Sequence, residues 1–220
     1  MIHIKKTAKP KILADNAEKW TKEYLCCIAS GKEPEKRLAN AYNHPEVKMA
    51  LKKETHGKCA YCESKIMHID YGDIEHILPK NKNARPDICF EWSNLTLACS
   101  KCNRSGKGSY YNVNFPLINP YSDYPEVHFR ALGSLVWPLP CDERAIITEG
   151  KLGLNRAELL ERRQERIGYI RSLLQLWAKT ESSNPNKAII EEALHKEYTG
   201  KKEYSFIIKG FLAALDFPVK

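Results

Sequence analysis

Two pairs of cysteines stand out by spacing, Cys59/Cys62 in CAYC and Cys99/Cys102 in CSKC. Each pair sets two thiols on one tight turn, and two such turns brought together offer four soft ligands to a single tetrahedral ion, usually zinc. Four protein ligands leave no position for water or substrate, so the expected site is structural. Two disulfides or four buried free thiols are the alternatives, and the doubled two-residue spacing favours the metal. The pairs bracket Asp73-x-Glu75-His76 and the pair Asn94-Leu95, and Asn103-Arg104 follows the last cysteine.

These groups need elements to hold them. Asp73 to Leu78 alternates as a strand does and is stopped by Pro79, while Leu95-Thr96-Leu97-Ala98 is short, apolar and β-prone. A hairpin pinned by metal at its far ends is the expected result. Its connection carries Lys80, Lys82 and Arg85, candidates for phosphate contact with a solvated loop as the alternative. Asn103-Arg104-Ser105-Gly106-Lys107-Gly108 opens a helix that its two glycines make short or irregular.

Upstream, residues 1–13 read as a basic extended arm, lying on a partner or nucleic acid or simply solvated. Asp15 is expected to cap a helix with Trp20, Tyr24, Cys27 and Ile28 on its core face, ending at Gly31. A short helix over Glu33 to Tyr42 follows, then one opened by Asn43-His44-Pro45 that delivers the chain to the first knuckle. Adjacent Cys26 and Cys27 read as a packing pair. Residues 109–152, rich in proline and aromatic residues, are expected to be mostly irregular, with a short strand near Gly133–Trp137, a turn or two of helix from Asp142, and His128 as a hydrogen-bonded packing residue. Asn155 with Glu158 forms a capping box, and Leu154 with Leu159 a staple, for a helix running to about Ala178. Further helices are expected from Asn184-Pro185 to Gly200 and from about Lys202 to Leu215, the last so apolar that it needs cover from this domain or from a partner.

Between Cys59 and Lys107 the chain resembles the HNH (ββα-metal) endonucleases: Glu75-His76 ends the first strand, Asn94-Leu95 opens the second, and Cys-x-x-Cys-Asn-Arg enters the helix. Together with IEHILPK, Asn119-Pro120-Tyr121-Ser122-Asp123 and Lys151-Leu152-Gly153-Leu154-Asn155-Arg156, the pattern is similar to the PtuB family, the HNH subunit of Septu-type and retron-associated anti-phage systems. The resemblance implies a zinc-stapled ββα-metal module in which His76 is the general base, Asn94 orients it, and Glu75 and Asn103 hold one catalytic Mg²⁺ or Mn²⁺. Asp73 assists that ion or merely begins the strand. Asn103 stands where the family name has histidine, which weakens any assignment of a tightly held transition metal. Arg104 and Lys107 join the loop cations as candidate phosphate contacts. The implied partners are nucleic acid, an ABC-type ATPase of the PtuA kind and, in retron systems, a reverse transcriptase with its DNA–RNA product.

Composition is compatible with this. The 220 residues are 43% hydrophobic and 28% charged, enough for a core, and no stretch has the length of a membrane span or the form of a secretory signal, so a cytoplasmic protein is expected. The net charge of +8 is uneven, with 12 basic and 7 acidic residues before residue 55. The expected fold class is α+β, mainly helical, with a basic N-terminal region over 1–54, the HNH module over 55–112, an irregular packing segment over 113–152 and a helical region over 153–220. The expected function is a metal-dependent endonuclease. A non-catalytic zinc-knuckle subunit that binds nucleic acid or a partner is the alternative, and no base-reading motif separates DNA from RNA.

Overall fold

A computed structural model describes residues 1–66 and 71–219. The chain is α+β. Three helices come first: α1 (Lys11–Ala29), α2 (Lys36–Ala39) and α3 (Pro45–Glu54). The centre is an antiparallel hairpin, β1 (Asp73–His76) on β2 (Leu95–Ala98), in the register Asp73↔Ala98 to His76↔Leu95. It is followed by a π-helical turn over Lys101–Lys107. A second hairpin joins β3 (Phe129–Leu132) to β4 (Leu135–Pro138), and four helices close the chain: α4 (Glu143–Leu152), α5 (Ala157–Lys179), α6 (Asn186–Glu197) and α7 (Ser205–Ala213). No helix among the described residues is long and apolar enough to cross a membrane.

One apolar core runs from Met1 through Leu51, Leu97, Phe129 and Ile170 to Phe217. All four residues of β2 are buried; α3 packs on the strand, and Lys6 Nζ donates to Leu95 O at 2.5 Å. A smaller cluster of Ala17, Tyr24, Cys89 and Phe90, with Tyr42 and Ala39 at its edge, sets α1 and α2 against the loop between β1 and β2. This cluster forms the wall beside His76.

Several local expectations give way to longer-range contacts. Residues 1–10 are no free arm: Met1 and Ile4 are buried, Ile4 N donates to Pro120 O at 2.7 Å, and Trp92 Nε1 donates to Thr7 O at 2.8 Å. The first helix starts at Lys11, behind Pro10, whose fixed φ suits a helix entry, so Asp15 lies inside it and pairs with Lys11 instead of capping. Cys26 is exposed and is not part of a packing pair. Asn155 does not cap α5. Its side chain accepts from Val136 N at 2.9 Å and donates to Val136 O at 2.8 Å, extending β4 by one rung, and Arg156 takes the cap position. The segment before α4 is less irregular than its prolines suggest, since β3 and β4 pair and Asp142 caps a ten-residue helix by accepting from Ala145 N. The apolar helix α7 finds its cover within the chain: Ile207, Ile208 and Leu212 are fully buried against β3 and α5.

Candidate active site and metal centre

The two knuckles meet. The four Sγ atoms of Cys59, Cys62, Cys99 and Cys102 lie within 4.8 Å of one another, with Cys62 and Cys99 at 3.9 Å. Tetrahedral zinc with Zn–S bonds of about 2.3 Å needs sulfurs about 3.8 Å apart. All four are unbridged thiols, so the donor set fits a zinc ion and the disulfide alternative is not realised. Main chain and side chain shape the cluster: Ala60 N donates to Leu97 O at 2.9 Å, tying the first knuckle to β2, and Ser64 Oγ lies 3.3 Å from Cys62 Sγ. Arg156 Nη1 lies 3.7 Å from Cys102 Sγ. Burial pulls its guanidinium down, and the Cys102 and Cys62 sulfurs more than offset this and raise it. A cation is thus placed beside a group of thiolates whose charge exceeds that of one divalent ion.

The hairpin carries the other chemistry on two sides. By strand alternation Asp73 and Glu75 share one face and His76 takes the other. Asp73 receives Asn103 Nδ2 at 3.0 Å and Arg104 Nε and Nη2 at 3.0 and 2.8 Å, which together with the charge of Arg104 hold its carboxyl below the usual range despite partial burial. Asp73 therefore does more than begin the strand. Glu75 is buried, and Lys107 Nζ sits 2.5 Å from its Oε1, off the line of a directed hydrogen bond, so the contact is an ion pair. Burial raises the Glu75 carboxyl above its usual value, against the pull of Lys107. Asp73, Glu75 and Asn103 supply hard oxygen atoms of the kind a magnesium or manganese ion takes.

His76 is enclosed. Its Nε2 lies 2.8 Å from Cys89 O, and its ring meets Tyr42 edge-on at 4.5 Å. A carbonyl only accepts, so Nε2 carries the hydrogen and Nδ1 holds the lone pair. Burial, with Lys80 and Lys107 nearby, lowers the imidazole to about 3, so it stays neutral at neutral pH and is a weak base in this enclosed arrangement. Asn94 does not touch the ring. Its Oδ1 accepts from Leu78 N at 2.8 Å, and its Nδ2 donates to Leu78 O and Ile88 O at 3.0 and 3.2 Å. It thereby fixes the loop whose next carbonyl, Cys89, holds the imidazole.

The expected phosphate contacts are mostly spent inside the chain. Lys80 donates to Ala39 O and lies 4.2 Å from the Tyr42 ring centre, Arg85 pairs with Asp87, Arg104 with Asp73, and Lys107 with Glu75; Lys82 is exposed. Tyr42, the Cys89 carbonyl and Arg156 belong to the neighbourhood of the site, and no motif or spacing marked them.

A family model described as HNH endonuclease matches residues 59–107. This segment therefore has the HNH endonuclease pattern. The chain is 32% identical over 131 residues to Septu protein PtuB of Bacillus thuringiensis, covering 59% of this chain and 46% of that one. It is 32% identical over 117 residues to Septu protein PtuB of Bacillus mycoides (strain KBAB4), covering 41% and 40%. It is 35% identical over 124 residues to the Vibrio cholerae serotype O1 biovar El Tor protein named "Retron Vc95 putative HNH endonuclease", covering 51% and 60%. The chain spans about half the length of the curated relatives it matches.

Proposed function

We propose that the protein is a metal-dependent endonuclease that hydrolyses nucleic-acid phosphodiester bonds through its HNH domain, as the effector of a cytoplasmic anti-phage system. The observation that carries this reading is a neutral imidazole, His76, whose free nitrogen is Nδ1, close in sequence to the Asp73 and Glu75 carboxylates that occupy the other face of β1, on a hairpin pinned by four cysteines. A Mg²⁺ or Mn²⁺ ion at Glu75, Asn103 and Asp73 would stabilise the charge that builds on the phosphate. His76 Nδ1 accepts the proton of the attacking water, and the Cys89 carbonyl stabilises the imidazolium that results. Asn94 is a positioning residue that acts through the Leu78–Cys89 loop. His76 is buried beside Tyr42, so exposing the ring gives a partner something to regulate. The words Septu and retron in the relatives' names support a defence setting; within this proposal the partner is an ABC-type ATPase, with a reverse transcriptase and its DNA–RNA product in the retron setting.

The test compares wild type with His76→Ala on plasmid DNA, single-stranded DNA and tRNA, with Mg²⁺ or Mn²⁺ and with the ATPase present. Cleavage by wild type should fall at least about 100-fold in the variant, with zinc content unchanged. Equal cleavage by the two proteins would exclude His76 as the base.

A further inference from the structure

A cleft of about 870 Å³ lies outside the hairpin, between the second knuckle with its π-helical turn and the first half of α5. Six cations line it: Lys65, Lys101, Arg104, Arg156, Arg162 and Arg166, of which Arg104, Arg162 and Arg166 already pair with Asp73, Glu165 and Glu197. Three acids line it too, and two of these are already engaged: Glu165 accepts from Arg162, and Glu203 accepts from the backbone N of Lys65. On α5 the lining positions Glu158, Leu159, Arg162, Glu165 and Arg166 follow the helical repeat, so one continuous face is turned into the cleft. Asp73, Glu75, His76, Asn94 and Asn103 do not line the cleft, and Arg104 links it to them. Arg104 lines it and also pairs with Asp73, two residues before Glu75 on β1.

We infer that this cleft is the path of the nucleic-acid strand, its cations holding the phosphates that flank the scissile bond. The inference rests on the nuclease reading, and it moves the substrate contacts from the Lys80–Arg85 loop to α5. Arginine guanidinium groups spaced one helical turn apart suit a ligand with regularly repeated phosphates, and the excess of positive charge excludes a cationic one. An acidic protein segment shares the sign of charge. The link to the hairpin through Arg104 favours nucleic acid, because a strand held at Arg104 lies next to the Asp73 carboxylate that this arginine pairs with.

Binding is measured by fluorescence anisotropy with labelled single-stranded DNA, duplex DNA and RNA, using the full chain carrying His76→Ala so that nothing is cut. Adding Arg162→Glu, at an exposed position far from the cysteines in sequence, should weaken binding about tenfold or more and flatten its salt dependence. Lys101→Glu with Arg162→Glu should weaken it further. The same charge change on α1, Lys19→Glu with Lys22→Glu, should leave affinity within about twofold, because those exposed lysines do not line the cleft. Unchanged binding by both cleft variants, equal loss in the α1 control, no measurable binding to any of the three probes, or tighter binding of polyglutamate than of nucleic acid would each overturn the inference. Loss of binding in the cleft variants with no cleavage by wild type would remove the nuclease reading and leave the cleft. Cleavage and binding both indifferent to the cleft variants would do the reverse.

Discussion

The His76 imidazole is packed against Tyr42 and bonded through Nε2 to a carbonyl, an environment that holds it neutral. Its folded pKa of about 3 lies below the ordinary 6.5. Between those values the unfolded chain binds the proton and the folded chain does not, so stability is full above about pH 6.5 and is lost as pH falls towards 3, at up to about 1.4 kcal/mol per pH unit. His76→Gln removes that proton uptake. Urea melts at pH 7 and pH 5 should therefore show a smaller acid loss in His76→Gln than in wild type; an identical loss would place the ring in solvent. Cysteine protonation contributes to acid loss in both proteins and cancels in the comparison.

The π-helical turn behind the second knuckle does two jobs at once. It leads from Cys102 through Asn103 and Arg104 at Asp73, and it ends at Lys107, whose ammonium reaches Glu75. Gly106 makes this path possible: a Cβ there would lie 2.8 Å from Lys151 O and 3.0 Å from Lys101 O, both backbone atoms that cannot swing aside. Gly106→Ala should cost about 1–3 kcal/mol by overpacking, seen as a lower melting temperature at equal zinc content; an unchanged melt would show that α4 gives way. The irregularity of this element was legible in its two glycines, and the hairpin in its alternation, because both depend on neighbours in sequence. The N-terminal segment and Asn155 were not legible. Met1, Ile4 and Asn155 find partners at Glu63, Pro120 and Val136, and a local pattern carries no trace of a contact so distant in the chain. The same holds at the site, where Glu75, His76, Asn94 and Asn103 were visible as a motif, while Tyr42 and the Cys89 carbonyl reach His76 only through tertiary packing.

Across the molecule, the first knuckle is stitched to the start of α7. Lys58 Nζ donates to Lys202 O at 2.9 Å, Ser64 Oγ and the Tyr204 hydroxyl are 3.0 Å apart, and Lys65 N donates to Glu203 at 2.5 Å. Inside the seam, buried Glu63 accepts from Ser205 Oγ at 2.6 Å and from Phe206 N at 3.3 Å. Burial alone would raise the Glu63 carboxyl; the Met1 amine, Lys58 and Ser205 overcome this and bring it to about 2, so it stays charged at the junction. One zinc per chain is the expected elemental analysis, and Cys59→Ser or a strong chelator should release α6 and α7 to proteolysis along with the hairpin; zinc-free protein that melts and digests as the loaded form does would disprove the structural role. The seam also bears on how such a protein responds when zinc is scarce. A chain in which a zinc ion fastens the β1–β2 hairpin and the terminal helices together has no half-finished form to fall back on, so limiting zinc should divide the population into whole molecules and lost ones, lowering the number of folded copies while leaving the properties of each unchanged.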